Sequence, residues 1–201
     1  MALATRTGPL IAAPRELLPA TGARRVVIVG GGWGGLSTAA RLRQLAPEFE
    51  VVLIDRQAIF WSFPQSNKWL VGLAEDATMS YEIVPAARRH GYTFIEGTVT
   101  GIDRAARRVL TAEGSLGYDW LVLSLGIRHD YTAWFGNEQA PAEAARRQFP
   151  SAFASGDEVR LLRKKLQDFR GGELVMTIPP MPYRCPPAPY ERACTIGDRK
   201  S

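Results

Sequence analysis

The chain has 201 residues, 46% of them hydrophobic and 9% aromatic, with 25 Lys and Arg against 20 Asp and Glu for a net charge of +5. This composition can bury a core and excludes wholesale disorder. The longest uncharged run, residues 26–40, is Gly-rich and short of the roughly 18–20 apolar residues of a membrane span, and two cysteines cannot supply a disulfide framework.

From the N-terminus, residues 1–23 carry Pro9, Pro14 and Pro19 among scattered charges. They lack the continuous apolar core of a secretory signal and read as a flexible leader. Val26-Val27-Ile28-Val29 then runs into Gly30-Gly31-Gly32, as a buried parallel strand does before a tight turn. Residues 34–45 predict a helix, ended by Pro47, and Val51 to Asp55 a second strand. Together they form a βαβ unit of about thirty residues. Residues 57–78 read as an aromatic-rich loop. Residues 85–90 predict a short helix with Pro85 at its first position and Gly91 as terminator.

Residues 92–95 predict the next strand, 97–118 a small β-meander, and 120–125 a strand closed by Gly126. Residues 127–154 are polar and Ala-rich and predict no element. Ser155 with Glu158 fits a capping box for a helix that presents Val159, Leu162, Leu166 and Phe169 and stops at Gly171-Gly172. Residues 174–178 predict a strand, followed by Pro179-Pro180, a proline-dense segment to Pro189, and a helix from Tyr190. The reading is an α/β fold. A Rossmann-like FAD-binding domain with a parallel sheet and β-meander spans residues 24–170, and a second Rossmann-like domain begins over 171–201.

Gly30-x-Gly32-x-x-Gly35 lies between a strand and a helix, with Asp55 ending the next strand. Gly30 permits the turn, Gly32 lets the backbone approach a pyrophosphate, and Gly35 allows close helix–strand contact. The helix N-terminus supplies N–H groups to the anion, and Asp55 can accept from ribose hydroxyls. The motif alone leaves FAD and NAD both open. The basic residues come as separate pairs such as Arg88–Arg89 and Arg146–Arg147. These suit solvated faces and not a phosphate-tracking stripe, so no nucleic-acid partner is expected although the pI is near 9.5.

The order of these segments resembles the two-dinucleotide-binding-domain flavoproteins, in which Leu121 to Gly126 would pass close to the flavin. That group opens its second domain with another Gly-rich turn for NAD(P)H. Here the corresponding position holds Pro179-Pro180, which offers no N–H cradle, so NAD(P)H is not the expected reductant. Residues 179–193, with the block PYRCPPxPYERA, resemble the flavoprotein subunit of flavocytochrome c sulfide dehydrogenase, with sulfide:quinone oxidoreductases as more distant relatives. The resemblance implies an FAD-dependent oxidoreductase that passes electrons from sulfide through a redox cysteine and FAD to a cytochrome c-type subunit. It also implies a periplasmic location, although no signal peptide is recognisable.

The resemblance makes Cys185 the catalytic residue. The cofactor-binding set is Gly30, Gly32, Gly34, Gly35, Asp55, Arg56 and Gly126. Arg184 would favour a thiolate at Cys185, while a buried, inert cysteine is the alternative. Cys194 has no family role, and a Cys185–Cys194 bridge is open. Members with covalent flavin carry a cysteine where Phe63 stands here, which implies non-covalent FAD. His90 and His129 read as structural. Trp61, Phe63 and Trp69 fit either core packing or a flavin wall, and no metal-ligand spacing is present. Some thirty residues after 170 cannot bury a core of their own, which weighs against a self-sufficient enzyme, and two further readings stand beside the first. One is a non-catalytic FAD-binding fragment or a half-enzyme completed by another chain; the other is an NADH-dependent flavin reductase.

Overall fold

The computed structural model describes residues 15–153, 156–178, 181–183 and 185–200. In chain order the elements begin with β1 (Arg25–Val29), α1 (Trp33–Leu45), β2 (Glu50–Asp55), β3 (Ile59–Trp61), α2 (Ser66–Leu70), β4 (Ser80–Glu82) and α3 (Ile83–His90). Then come β5 (Thr93–Glu96), β6 (Val99–Asp103), β7 (Arg108–Thr111), β8 (Ser115–Gly117) and β9 (Trp120–Leu123). The helices α4 (Gln139–Gln148), α5 (Asp157–Asp168) and α6 (Ala188–Lys200) complete them. The chain divides into two compact units, Met1–Ala58 with Val84–Leu125, and Ile59–Ile83 with Gly126–Ser201.

The first unit is Rossmann-like. Its parallel sheet has the order β5-β2-β1-β9, with Val27 opposite Val52 on one side and Leu121 on the other. All of β1 is buried, as expected of a strand covered on both faces. Gly35 and Ala39 of α1 are buried, where their small side chains admit the helix close to the sheet. Val27, Val29, Val52 and Ile54 form one core with Val109 and Leu116 of the antiparallel sheet β6-β7-β8. Burying each of these side chains contributes about 1.5–3 kcal/mol.

At the start of β1, the buried Arg25 donates from Nε to Glu50 Oε2 at 2.8 Å and from Nη2 to the Pro19 carbonyl at 2.6 Å. Burial alone would raise the Glu50 carboxyl. Hydrogen bonds from Arg25 and Thr21, with the Arg25 charge, outweigh that and hold it below the usual carboxylate range.

Among its described residues, the second unit holds the antiparallel pair β3–β4 and the α-helices α2, α4, α5 and α6. Its core joins Trp61, Trp69, Leu70 and Met79 to Val159, Leu166 and Ile196. Arg160 and Arg163 of α5 stack at 4.6 and 4.4 Å over Trp61 and Trp69. Trp69 Nε1 and Arg163 Nη1 both donate to Asp76 Oδ1. A smaller cluster packs Tyr131 against Ala142 and Ala145.

Several expectations change. The leader to residue 14 lies outside the described residues, but the part from Arg15 is held, not flexible. Leu17 N–H donates to the Ser115 carbonyl at 2.9 Å and Ser115 N–H to the Arg15 carbonyl at 2.8 Å. Leu17 and Leu18 pack on the core, so two leucines between prolines outweigh the turn-like composition. Residues 57–78 contain β3, α2 and a 3-10 turn at Asp76–Thr78, because their aromatic residues serve the core of the second unit. Residues 127–154 contain α4, whose Ala, Glu, Gln and Arg residues are strong helix formers.

The strand expected at 174–178 does not form. Val175 is 81% exposed, and no strand of the described residues pairs with the segment, so an apolar run without a sheet to join remains irregular. Ser155 of the expected capping box lies outside the described residues. Gly156 occupies the N-cap position of α5, and the Glu158 carboxylate accepts instead from Tyr131 Oη and Ser151 N–H, each at 2.7 Å. Pro85 lies in the third position of α3, not the first.

Candidate functional site

The turn between β1 and α1 is built as the glycine spacing predicts. Gly30 has φ of 110°, a value that only glycine adopts without strain, and its N–H donates to the Ile54 carbonyl at 2.8 Å. A Cβ on Gly35 would collide with the Gly30 carbonyl, and one on Gly34 with Ser124 Oγ. A Cβ on Gly32 would meet no protein atom within 4 Å, so the backbone there faces open space. Helix α1 has no side-chain cap at Gly32 and no acidic residue in its first turn. Its N-terminal partial positive charge is therefore left to an anion from outside.

Asp55 ends β2 beside this turn. Its Oδ2 accepts from Gly31 N–H at 2.5 Å and its Oδ1 from Gln57 N–H at 2.8 Å. Each carboxylate oxygen retains a lone pair for a further donor, so the residue both fixes the glycine turn and keeps capacity for ribose hydroxyls. Arg56 follows it and is exposed. On the other side of β1, Ser124 N–H donates to the Val29 carbonyl at 2.8 Å, extending the pairing of β1 with β9. The order β5-β2-β1-β9 reverses direction between β1 and β9, and this switch point is where doubly wound sheets bind nucleotides. Gly126, with φ of 76°, ends the segment after β9.

The structure therefore brings Gly30, Gly32, Gly34, Gly35 and Asp55 into one cradle in the first unit. Ser124 is a member that sequence reasoning passed over, although it lies within the segment read as flavin-adjacent. These residues fit a dinucleotide. The helix end leaves N–H groups for a phosphate, Gly32 leaves open space beside them, and Asp55 keeps acceptor capacity next to the same turn.

Cys185 belongs to the second unit, as does Gly126. Its thiol is exposed and free, like that of Cys194, so no bridge joins the two and the buried-cysteine alternative does not hold. The Cys185 carbonyl accepts from Ala188 N–H at 3.0 Å, which puts the residue at the entrance to α6. Its φ of 58° is a left-handed conformation seldom adopted outside glycine, and such positions concentrate at functional sites. Arg184 and Pro179-Pro180 lie outside the described residues.

Arg192 of α6 is buried, its guanidinium carbon 4.8 Å from the centre of the Phe153 ring. Burial pulls its guanidinium below the usual arginine range, while the charges of Cys185 and Glu191 act in the opposite direction. Trp61 and Trp69 are core residues in edge-to-face contact at 5.7 Å, and the half-buried Phe63 packs against the same cluster. His90 ends α3 in its last, basic turn, and the His129 carbonyl accepts from Arg146. Among the described residues no cluster of His, Cys, Asp and Glu could hold a metal ion, and no helix is long and apolar enough to cross a membrane.

Residues 24–165 match the family profile described as pyridine nucleotide-disulphide oxidoreductase. Residues 159–200 match one described as sulfide dehydrogenase (flavocytochrome c) flavoprotein chain, central. The chain is 32% identical over 105 residues to a sulfide-quinone reductase of Aquifex aeolicus, covering 52% of this chain and 24% of that one. It is 28% identical over 109 residues to a type II NADH:quinone oxidoreductase of Staphylococcus saprophyticus, covering 53% and 27%. The crystal structure of the Aquifex aeolicus sulfide:quinone oxidoreductase superposes with a TM-score of 0.62 at 28% identity, over 73% of this chain and 32% of that one. Each alignment to these curated relatives spans about a quarter of the relative's length. The chain belongs to the pyridine nucleotide-disulphide oxidoreductase family, whose members are FAD-dependent oxidoreductases.

Proposed function

We propose that this chain is the flavin- and cysteine-bearing portion of an FAD-dependent oxidoreductase that takes electrons from sulfide and delivers them to a cytochrome c-type acceptor. The observation that carries the reading is the exposed Cys185, in left-handed backbone, within the segment that matches the sulfide dehydrogenase central region. FAD, when bound, accepts an electron pair and can release the electrons singly to a one-electron carrier.

The chain's own residues hold and orient the cofactor. The first turn of α1 and the Gly30–Gly32 backbone would receive the pyrophosphate and Asp55 would accept from the ribose, while the resemblance adds Arg56 and Gly126 to the cofactor-binding set. Hydrosulfide is the nucleophile: it would attack Cys185 when that sulfur is held in a disulfide or persulfide, one S–S bond forming as the other breaks and a thiolate leaving with the electron pair for which FAD is the acceptor. With Phe63 at the place of the attachment cysteine, the cofactor is held without a covalent bond. The cytochrome-type partner and a periplasmic location come from the same resemblance.

Adding sulfide to the FAD-loaded chain under anaerobic conditions, with its partner present, is expected to bleach the flavin absorbance. Cys185→Ser is expected to abolish the bleaching while FAD binding persists. FAD bound with no bleaching by sulfide sinks the proposal. The likeness to a type II NADH:quinone oxidoreductase favours one competing reading, NADH as reductant. Rapid NADH oxidation by the FAD-loaded chain would establish that alternative.

A further inference from the structure

Cys185 holds a left-handed backbone, with φ of 58°, and a residue with a side chain stays there only where its surroundings fix it. Part of the fixing is local. Ala188 N–H donates to the Cys185 carbonyl at 3.0 Å and Glu191 N–H to the Pro187 carbonyl at 3.1 Å, which closes the entrance turn of α6. A link from outside this segment comes from Asn67 of α2, which stands 124 residues before Glu191 in the chain.

Asn67 Nδ2 donates to Glu191 Oε2 at 2.9 Å and lies 3.5 Å from the Ala188 carbonyl oxygen. Both acceptors belong to the first turn of α6, and α2 and α6 lie in the same unit. The amide fits in one orientation, since the reverse would set its oxygen against two oxygens. Asn67 Oδ1 is buried with no partner among the described residues, so each hydrogen bond described for this side chain goes to α6. Packing alone would favour an apolar residue here, because an unmet buried acceptor is costly. The platform is firm. Ser66, Trp69 and Leu70 of α2 are buried, and Trp69 and Leu70 share their core with Ile196 of α6.

We propose that Asn67 is a positioning residue for Cys185, a clamp that holds the first turn of α6 from α2 and so keeps the Cys185 backbone in its left-handed form. The inference rests on Cys185 being the reacting sulfur of the proposed function, but its first test requires neither flavin nor sulfide. Residues 186–189 read Pro-Pro-Ala-Pro, so Ala188 carries the one backbone N–H among them, and that N–H is the donor to Cys185. Hydrogen–deuterium exchange of the full chain, read by mass spectrometry over this stretch, therefore reports on the Cys185 turn itself.

Asn67→Asp keeps the shape but sets a carboxylate against Glu191, and Ala188 is expected to exchange about tenfold faster with the thermal midpoint little changed. Glu191→Gln alone should keep the parent rate, because its amide oxygen still accepts from Asn67. Asn67→Asp combined with Glu191→Gln reverses donor and acceptor and should restore slow exchange, a rescue that general loosening would not give. Unchanged exchange in a folded Asn67→Asp chain overturns the proposal. So does a double variant that exchanges as fast as Asn67→Asp, or a parent in which Ala188 exchanges at the free-peptide rate. If Asn67→Asp fails to fold, Glu191→Ala at an exposed position decides: faster exchange supports the clamp and an unchanged rate overturns it. In the FAD-loaded chain with its partner, Asn67→Asp is expected to lower the limiting rate of bleaching by sulfide about tenfold with FAD affinity unchanged, and the double variant to recover it. Equal limiting rates in parent and Asn67→Asp overturn the positioning role. A clamp seen by exchange in a chain that sulfide does not bleach would refute the proposed function and leave the hold of Asn67 on the Cys185 turn standing.

Discussion

At the scale of single residues, one side-chain-free position and one ion pair carry testable weight. Gly35→Ala would drive a Cβ into the Gly30 carbonyl, which is backbone and cannot swing aside. The turn must open, and FAD affinity is expected to fall about 100-fold, a loss of about 3 kcal/mol, as read by flavin fluorescence titration. The Arg25–Glu50 pair gives a second prediction. Glu50→Gln leaves a buried guanidinium without its counter-charge and is expected to cost about 2–4 kcal/mol at pH 7 in urea unfolding. Because the folded chain holds the Glu50 carboxyl below its usual value, its contribution is present above the unfolded pKa of about 4.3. It is lost as pH falls through the folded value. The stability gap between wild type and Glu50→Gln should therefore narrow as pH drops from about 5 toward 3, and a constant gap would contradict the assignment.

At the scale of elements, the segment Arg15–Leu18 behaves as an addition to β8. Its backbone exchanges two hydrogen bonds with Ser115, its leucines cover the core, and Glu16 pairs with Arg108. Leu17→Asp is expected to destabilise the first unit by about 2 kcal/mol, whereas a charge at the exposed Pro19 position should cost little. Thermal unfolding of the two variants distinguishes the roles. In the second unit, Arg163→Ala removes both the Asp76 ion pair at 2.8 Å and the stacking on Trp69. A loss of about 1–2 kcal/mol is expected, and a substitution without effect would show that the tryptophan pair is self-sufficient.

At the scale of the whole molecule, the βαβ unit was legible because its signals are local. An uninterrupted apolar strand, glycines at fixed offsets and an acidic residue at the next strand end all lie within thirty residues. The cradle of Gly30, Gly32, Gly34, Gly35 and Asp55 followed from the same run. What was not legible depends on partners distant in sequence. Leu17 takes its meaning from Ser115, and Trp69 from Arg163. Residues 174–178 show the converse, an apolar strand pattern that stays irregular because no strand of the described residues pairs with it. The attachment of the cofactor is a whole-molecule property with a simple check. Acid precipitation of the FAD-loaded chain is expected to release the yellow colour to the supernatant, and colour kept in the pellet would identify a covalent bond.

The difference between the obstacles facing Gly34 and Gly35 has a consequence for how such sequences can drift. Gly35 is opposed by main chain, so no second substitution can rescue an alanine there. Gly34 is opposed only by the Ser124 hydroxyl, which a change of rotamer can move, so Gly34→Ala should cost far less than Gly35→Ala and Ser124→Gly should remove what cost remains. A double-mutant cycle in FAD affinity should show coupling between 34 and 124 and none between 35 and 124. Across related sequences, positions 34 and 124 are then expected to change together, while 30 and 35 do not change at all.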